Sequence, residues 1–337
     1  TYQVDVWPGD LNKSNSVSTS DLLPIGYFYN SIGPVRPNAT IQWYAQPATL
    51  WGTNHSSPNG DAYKVFADSN GDGIINNADQ AAIGFNMSQV HAKHVVNKPF
   101  IISPKVIQTT LAGGSLIVTP NTNIIDAAIL PQTVTFNVGL NNTGGLNALY
   151  GISVNLIFDS TIFDLSTATI DYTGSIFGNT SADYLNMNYN TSSAVSVGLT
   201  RYANASIIGQ GLLFKVTLQT KSPLGSSLTQ TPITAYVDAA NNQVGDALII
   251  QDAPVTSLNI INNLGINNIK SNDFIIYPNP VKDFLTIKGN TVVNKVTVFN
   301  SLGQLLFEKN QNNNEFSLDL SNLSTGNYYI KVKSDDD

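Results

Sequence analysis

The chain has 337 residues, 42% of them hydrophobic and only 12% Asp, Glu, Lys or Arg, so two or three domains with ample core material are expected. A net charge of -7 and a pI near 4.8 exclude the basic footprint of a nucleic-acid binder. The absence of cysteine excludes disulfide staples, thiolate catalysis and zinc–thiolate sites, and no apolar run is long enough for a membrane-spanning helix. Without an initiator Met or a leader before Thr1, the chain reads as one whose leader was removed, or as the tail of something longer.

Residues 1–102 hold nearly all the aspartate-studded loops, all three Trp and all three His. The segment from Asp68 to Asp79 places oxygen ligands at positions 1, 3, 5, 9 and 12 of a twelve-residue loop: Asp68, Asn70, Asp72, Asn76 and Asp79. Gly73 falls where such a loop must turn sharply, and Ile74 offers its backbone carbonyl at position 7. Calcium takes six to eight hard oxygen ligands, which is what this spacing wraps around one ion. Asp79 then opens a short helix with Ala82, Ile83 and Phe85 available for packing.

The same pattern recurs 58 residues upstream, with Asp10 standing against Asp68. Asp10, Asn12, Ser14, Ser18 and Asp21 take the ligand positions, Asn15 replaces the turn glycine, and Ser16 supplies the carbonyl. Beyond the loop, Ile25-Gly26-Tyr27 aligns with Ile83-Gly84-Phe85. Position 8 is apolar in both loops, Val17 and Ile75, which predicts that the loops pack back to back. The second loop carries three carboxylates and the first only two, so the Asp68–Asp79 site is expected to bind calcium more tightly. The bland alternative is that Asp/Asn/Gly clusters are surface turns; a duplication preserving ligands and helix core together argues against it.

The loops, each followed by a short helix and ending in Asp, resemble dockerin repeats. The flanks Trp7-Pro8-Gly9-Asp10, Asp21-Leu22-Leu23-Pro24-Ile25-Gly26 and Gly33-Pro34-Val35-Arg36-Pro37-Asn38 resemble a dockerin-like module of secreted Bacteroidota proteins. The pattern departs from ordinary dockerins in a long insert, residues 31–67, between the repeats. Trp43, Tyr44 and Trp51 in this insert read either as its small core or as a sugar-stacking platform.

Residues 103–266 alternate apolar and polar side chains, as in Val134-Thr135-Phe136-Asn137-Val138 and Val195-Ser196-Val197-Gly198-Leu199. Period-two alternation broken by turns predicts antiparallel strands with one buried face. The stretches Leu149–Asp159, Ser196–Arg201 and Gly209–Val216 resemble a cohesin-type β-sandwich over residues 133–261. Because cohesins bind dockerins, that resemblance implies a dockerin–cohesin-like contact, within the chain or between chains. The sandwich reads equally as a spacer in a surface stalk.

A polar, Asn-rich segment, Asn259–Asp273, is expected to be a linker. After it, Phe274–Ile287 joins a Pro-bounded turn to an alternating strand, Val296–Leu306 reads as strand, tight turn, strand, and Leu323–Val332 as turn then strand. This spacing resembles the type A sorting domain of the type IX secretion system over residues 274–333. The resemblance implies export across the outer membrane and recognition by the translocon or its shuttle proteins. That family normally ends in a basic strand, whereas this chain ends Ser334-Asp335-Asp336-Asp337.

No convergent catalytic set stands out. There is no Gly-x-Ser-x-Gly elbow and no phosphate-cradling glycine loop. His91 and His94, three apart, read as a transition-metal pair or as a solvated helix end, and His55 stands alone. The expected protein is mainly β, with three domains. Residues 1–102 form a dockerin-like calcium module, 103–266 a cohesin-like β-sandwich, and 267–337 an Ig-like antiparallel β-sandwich for sorting. The expected function is non-catalytic binding or structure at the cell surface, or the non-catalytic end of a large secreted hydrolase, or glycan binding.

Overall fold

Where apolar residues alternate, the chain forms strands, and among the described residues helices are confined to the first ninety. The computed structural model describes residues 3–52, 60–92, 111–144, 146–222, 224, 229–261 and 274–334. In chain order the N-terminal module consists of β1 (Gln3–Val6), α1 (Leu22–Tyr27), β2 (Gln46–Thr49), α2 (Lys64–Ala67) and α3 (Gln80–Asn86). The central region adds β3 (Leu111–Pro120), β4 (Ile124–Asp126), β5 (Thr133–Gly144), β6 (Gly151–Ile157), β7 (Phe163–Asp171) and β8 (Tyr184–Asn190). It continues with β9 (Ala194–Arg201), β10 (Gly211–Thr220), β11 (Gln230–Asn241), β12 (Ile249–Gln251) and β13 (Thr256–Ile261). The last unit holds β14 (Phe274–Tyr277), β15 (Phe284–Asn300), β16 (Leu305–Asp319) and β17 (Tyr328–Ser334).

The chain divides into two compact units, Thr1–Asn263 and Leu264–Asp337. The first unit joins the N-terminal module to the sandwich. Two sheets, of order β12-β3-β5-β10-β7 and β4-β13-β11-β6-β9-β8, face each other across one apolar core. Pairing is antiparallel except where β12 joins β3 and β13 joins β4. On β5 the inward residues Val134, Phe136, Val138 and Leu140 are all buried, as their alternation predicts. The rings of Phe136, Phe158 and Phe163 meet edge to face at centroid distances of 5.3, 6.0 and 5.5 Å.

The N-terminal module repeats its own geometry. Backbone φ is positive at loop positions 4 and 6 of both repeats, at Lys13 (63°) and Asn15 (71°) and at Gly71 (79°) and Gly73 (84°). Each loop ends in a 3₁₀ turn with a reciprocal capping box, Ser18 with Asp21 and Asn76 with Asp79. The tail of each repeat straps the other repeat's loop. Gly33 N donates to Gly73 O, Ile75 N to Ser31 O and Asn30 N to Ile75 O. The matching bonds run from His91 N to Asn15 O, Val17 N to Gln89 O and Ser88 N to Val17 O. Val17 and Ile75 are buried in one core as expected, but their backbones pair with these straps; among the described residues no bridge joins loop to loop.

Two expectations change. Phe85 is not a packing residue: it is 59% exposed on the outer side of α3, whereas Ala82 and Ile83 are buried. The expected linker starts later, because Asn259–Ile261 pairs in β13 with Gln230 of β11 and with β4; residues 262–273 lie outside the described residues.

In the C-terminal unit β14, β15 and β16 form an antiparallel sheet, with β17 on β15. The register breaks between Lys288 and Val293, so the front half of β15 serves β14 and the rear half serves β17, with β16 beside both. Leu285, Ile287, Val293, Val296, Val298, Leu318 and Leu320 make its core. The predicted tight turn is present: Asn300 Oδ1 accepts from Leu302 N and Gln304 N, and Gly303 takes φ +77°.

Candidate functional site

The candidate ligands lie within their loops, mostly with side chains turned to the loop's own amides. Asp68 accepts from Gly71 N (3.0 Å) and Gly73 N (3.2 Å), and Asp79 from Asn70 N (3.1 Å) and Asn76 N (2.9 Å). Asn70 Nδ2 donates to Asp72 Oδ2 at 3.0 Å, and Ile74 N to Asp72 Oδ1 at 2.8 Å. In the first loop Asp10 accepts from Ser14 N (2.9 Å) and Asn15 N (3.1 Å), and Asp21 from Asn12 N (3.0 Å) and Ser18 N (2.8 Å). Ser14 Oγ donates to the carbonyl of Ser16, so two expected ligands of this loop hold each other.

Asp10, Asp21, Asp68 and Asp79 are buried, and burial is costly to an anion without a partner. Burial pushes the Asp68 carboxyl up to about 6, against the pull of Arg36, and Asp79 up to about 7, against its backbone hydrogen bonds. Asp21 is raised well above the usual carboxylate range for the same reason. In the second loop two such desolvated carboxylates, Asp68 and Asp79, lie with the exposed Asp72, and in the first Asp21 lies with Asp10. Among the described residues no three His, Cys, Asp or Glu gather as a ready ligand set, so an ion here would rely equally on amide, hydroxyl and carbonyl oxygens.

The loops differ in their surroundings. His91 Nε2 lies 2.9 Å from Asp10 Oδ2, and its buried ring stacks on Trp7 at 4.4 Å. His91 is therefore not a solvated helix end; His94, its partner in the expected metal pair, and His55 lie outside the described residues. Lys13 sits 3.4 Å over the Tyr63 ring, and burial lowers its ammonium to about 8. The insert packs as a core: Trp51 is 4% exposed and Trp43 is half-buried against Trp7, while Tyr44 is exposed.

Within the first unit the N-terminal module lies against the sandwich. Residues pointing outward from an antiparallel sheet ordinarily meet water, yet Gly151, Ser153, Gly198 and Thr200 on β6 and β9 are buried. The module covers them. Thr19 Oγ1 lies 2.9 Å from Ser153 Oγ, and Ser18 Oγ reaches Asp238 Oδ2 at 3.5 Å. A Cβ on Gly198 would stand 2.4 Å from Thr19 O, and one on Gly26 2.0 Å from Thr200 Oγ1. Leu185 of β8 joins the module's core, and the rings of Tyr29 and Tyr202 meet at 4.4 Å. The sequence signal was the run of small outward residues on β6 and β9, which admits a backbone at close range.

No curated protein matches the chain. Among solved structures it is similar to a type I cohesin–dockerin complex from Clostridium thermocellum, at 10% identity and TM-score 0.33, covering 44% of this chain and 99% of that one. It is similar also to the seventh ScaB type I cohesin of Pseudobacteroides cellulosolvens, at 15% identity and TM-score 0.36, covering 46% and 97%. A non-cellulosomal cohesin from Archaeoglobus fulgidus matches at 14% identity and TM-score 0.32, covering 44% and 94%. The sandwich thus has cohesins as structural neighbours, while its architecture rests on its own strand pairing. Among the described residues no helix is long and apolar enough to cross a membrane. Residues 275–337 match the secretion system C-terminal sorting domain, the type IX signal that directs export across the outer membrane to the cell surface or beyond.

Proposed function

We propose that this is a secreted, non-catalytic binding and structural protein whose calcium-stiffened module is clamped onto its own cohesin-like sandwich. The observation that carries this reading is the seating of α1 and the preceding 3₁₀ turn on β6 and β9, through Thr19–Ser153 and Gly26–Thr200. Calcium enters the reading because Asp21, the last ligand of the first loop, ends the very turn that docks. An ion there would hold Thr19 and Ser20 at the sandwich. The sorting domain, residues 274–333, serves as the surface read by the translocon or its shuttle proteins.

The chain's lack of cysteine makes docking directly testable. In a Thr19→Cys/Ser153→Cys double variant, two sulfurs replace hydroxyls 2.9 Å apart, near enough for a bond of ~2.05 Å. An intramolecular disulfide is expected, seen as a mobility change on a non-reducing gel. Asn77→Cys/Ser153→Cys, using the equivalent position of the other repeat, should stay reduced. A dimer in place of the internal crosslink would mean that docking is between chains.

Calcium is tested by calorimetry on chelator-stripped protein. Two unequal sites are expected, with Asp72→Ala weakening the tighter one by about tenfold or more because a ligand charge is lost. Ser14→Ala, which removes only a neutral oxygen, should have the smaller effect on the weaker site. Chelation should open residues 1–92 to protease and leave the sandwich intact. Cleavage that is identical with and without chelator would sink the calcium reading.

A further inference from the structure

The insert between the repeats has no role in the reading above, and its most unusual residue is Arg36. This cation is only 4% exposed. Its Nη1 donates to Asp68 O at 3.1 Å and Nη2 to Ser69 O at 2.8 Å, while Nε donates to Gln46 Oε1 at 3.2 Å. Its backbone N donates to Gly71 O at 2.9 Å. One residue thus holds the carbonyls of loop positions 1, 2 and 4.

The clamp is itself held. Gln46, on β2, is buried and anchored through Nε2 to Thr40 O at 2.9 Å, which fixes the oxygen that receives Arg36 Nε. The geometry answers two needs of the local chain. Helix α2 stops at Ala67, and the carbonyls of the C-cap Asp68 and of Ser69 just past it are left to partners outside the helix; the guanidinium fork takes both at once. Gly71 lets the fork lie against the loop, since a Cβ there would stand 3.0 Å from Arg36 Cζ and 2.3 Å from Ala39 Cβ.

Fork and strap together leave the loop little freedom. Once the carbonyls at positions 68, 69, 71 and 73 are taken from outside, the amides of Gly71 and Gly73 are aimed at the Asp68 carboxylate. We infer that Arg36 is the positioning residue of the Asp68–Asp79 loop, holding it in ligand-presenting shape before any ion arrives. The inference rests on the calcium reading for its purpose, and on the fork geometry alone for its substance. A loop shaped in advance spends less of the ion's binding on ordering the chain. The bonds go to carbonyls rather than to carboxylates, so the ligand oxygens remain available to a cation.

The test uses the full chain with Arg36→Met, which keeps the volume, and Arg36→Lys, which keeps the charge without the fork. Hydrogen exchange over residues 68–79, read by mass spectrometry in chelator, should be about tenfold faster in both variants. Exchange over residues 10–21 should be unchanged. Calcium titration should show the tighter site weakened by a similar factor in both. If Arg36→Lys behaves as wild type, charge alone suffices and the positioning role is wrong. If Arg36→Met behaves as wild type, Arg36 merely fills space and the inference also fails. Should the wild type bind no calcium while the exchange difference appears, the calcium reading falls and the positioning role stands.

Discussion

Alanine at Gly26 is expected to destabilise the module by about 2 kcal/mol, whereas alanine at Gly84, its counterpart in the second repeat, is expected to stabilise it. Both glycines lie inside helices, α1 and α3, where alanine is intrinsically better by roughly 0.5–1 kcal/mol. At Gly84 nothing lies within 4 Å of the new carbon, so that preference is all that acts. At Gly26 the carbon would stand 2.0 Å from Thr200 Oγ1 and 2.4 Å from Arg201 O. A hydroxyl can rotate, but the carbonyl belongs to β9 and stays unless the helix retreats. Overpacking of this kind costs typically 1–3 kcal/mol and outweighs the propensity gain. All three Trp lie at or before Trp51, so urea unfolding followed by Trp fluorescence reports on the module. A shift of the same sign at both positions would show that α1 does not rest on β9.

The second large effect is in the sandwich. Phe136→Ala is expected to cost about 4 kcal/mol, a sizeable share of the roughly 5–15 kcal/mol that holds a domain together. Phe136 is fully buried and meets Phe158 and Phe163 edge to face, so alanine loses its burial, both ring contacts and the volume between them. Ile117→Ala, at a 39% exposed position, serves as the comparison and should change stability much less. Denaturation followed by circular dichroism separates the two. The C-terminal unit, with its own core, should keep its transition in both variants. Equal losses at Phe136 and Ile117 would contradict the two-layer core.

Much of this molecule is legible residue by residue. The alternation of Val134, Phe136 and Val138 specifies a strand and its buried face, because successive side chains of a strand point to opposite sides. The 58-residue offset carries over to the backbone, with positive φ at Lys13 and Asn15 as at Gly71 and Gly73, because both loops must turn at the same two points. The turn at Asn300–Gln304 was readable for the same local reason.

The parts that were not legible depend on what comes close from elsewhere in the chain. Outward residues such as Ser153, Gly198 and Thr200 look like a solvated face until another element covers them. Alternation records which side a residue points to, and is silent on whether that side meets water. Phe85 reads as a packing residue from its place on the helix after Asp79, yet it is exposed, while the first repeat's helix rests on β9 through Gly26. Arg36, between two prolines, carries no sign that its fork will close on carbonyls more than thirty residues away. By itself the sequence determined the strands, the paired loops and the sorting segment, because each rests on contacts within a short span. Only the tertiary structure decided that His91 meets Asp10, that Arg36 holds the second loop and that the module closes on its own sandwich. Those contacts join distant residues, so a local pattern can mark at most one side of them, as the small outward residues of β6 and β9 do.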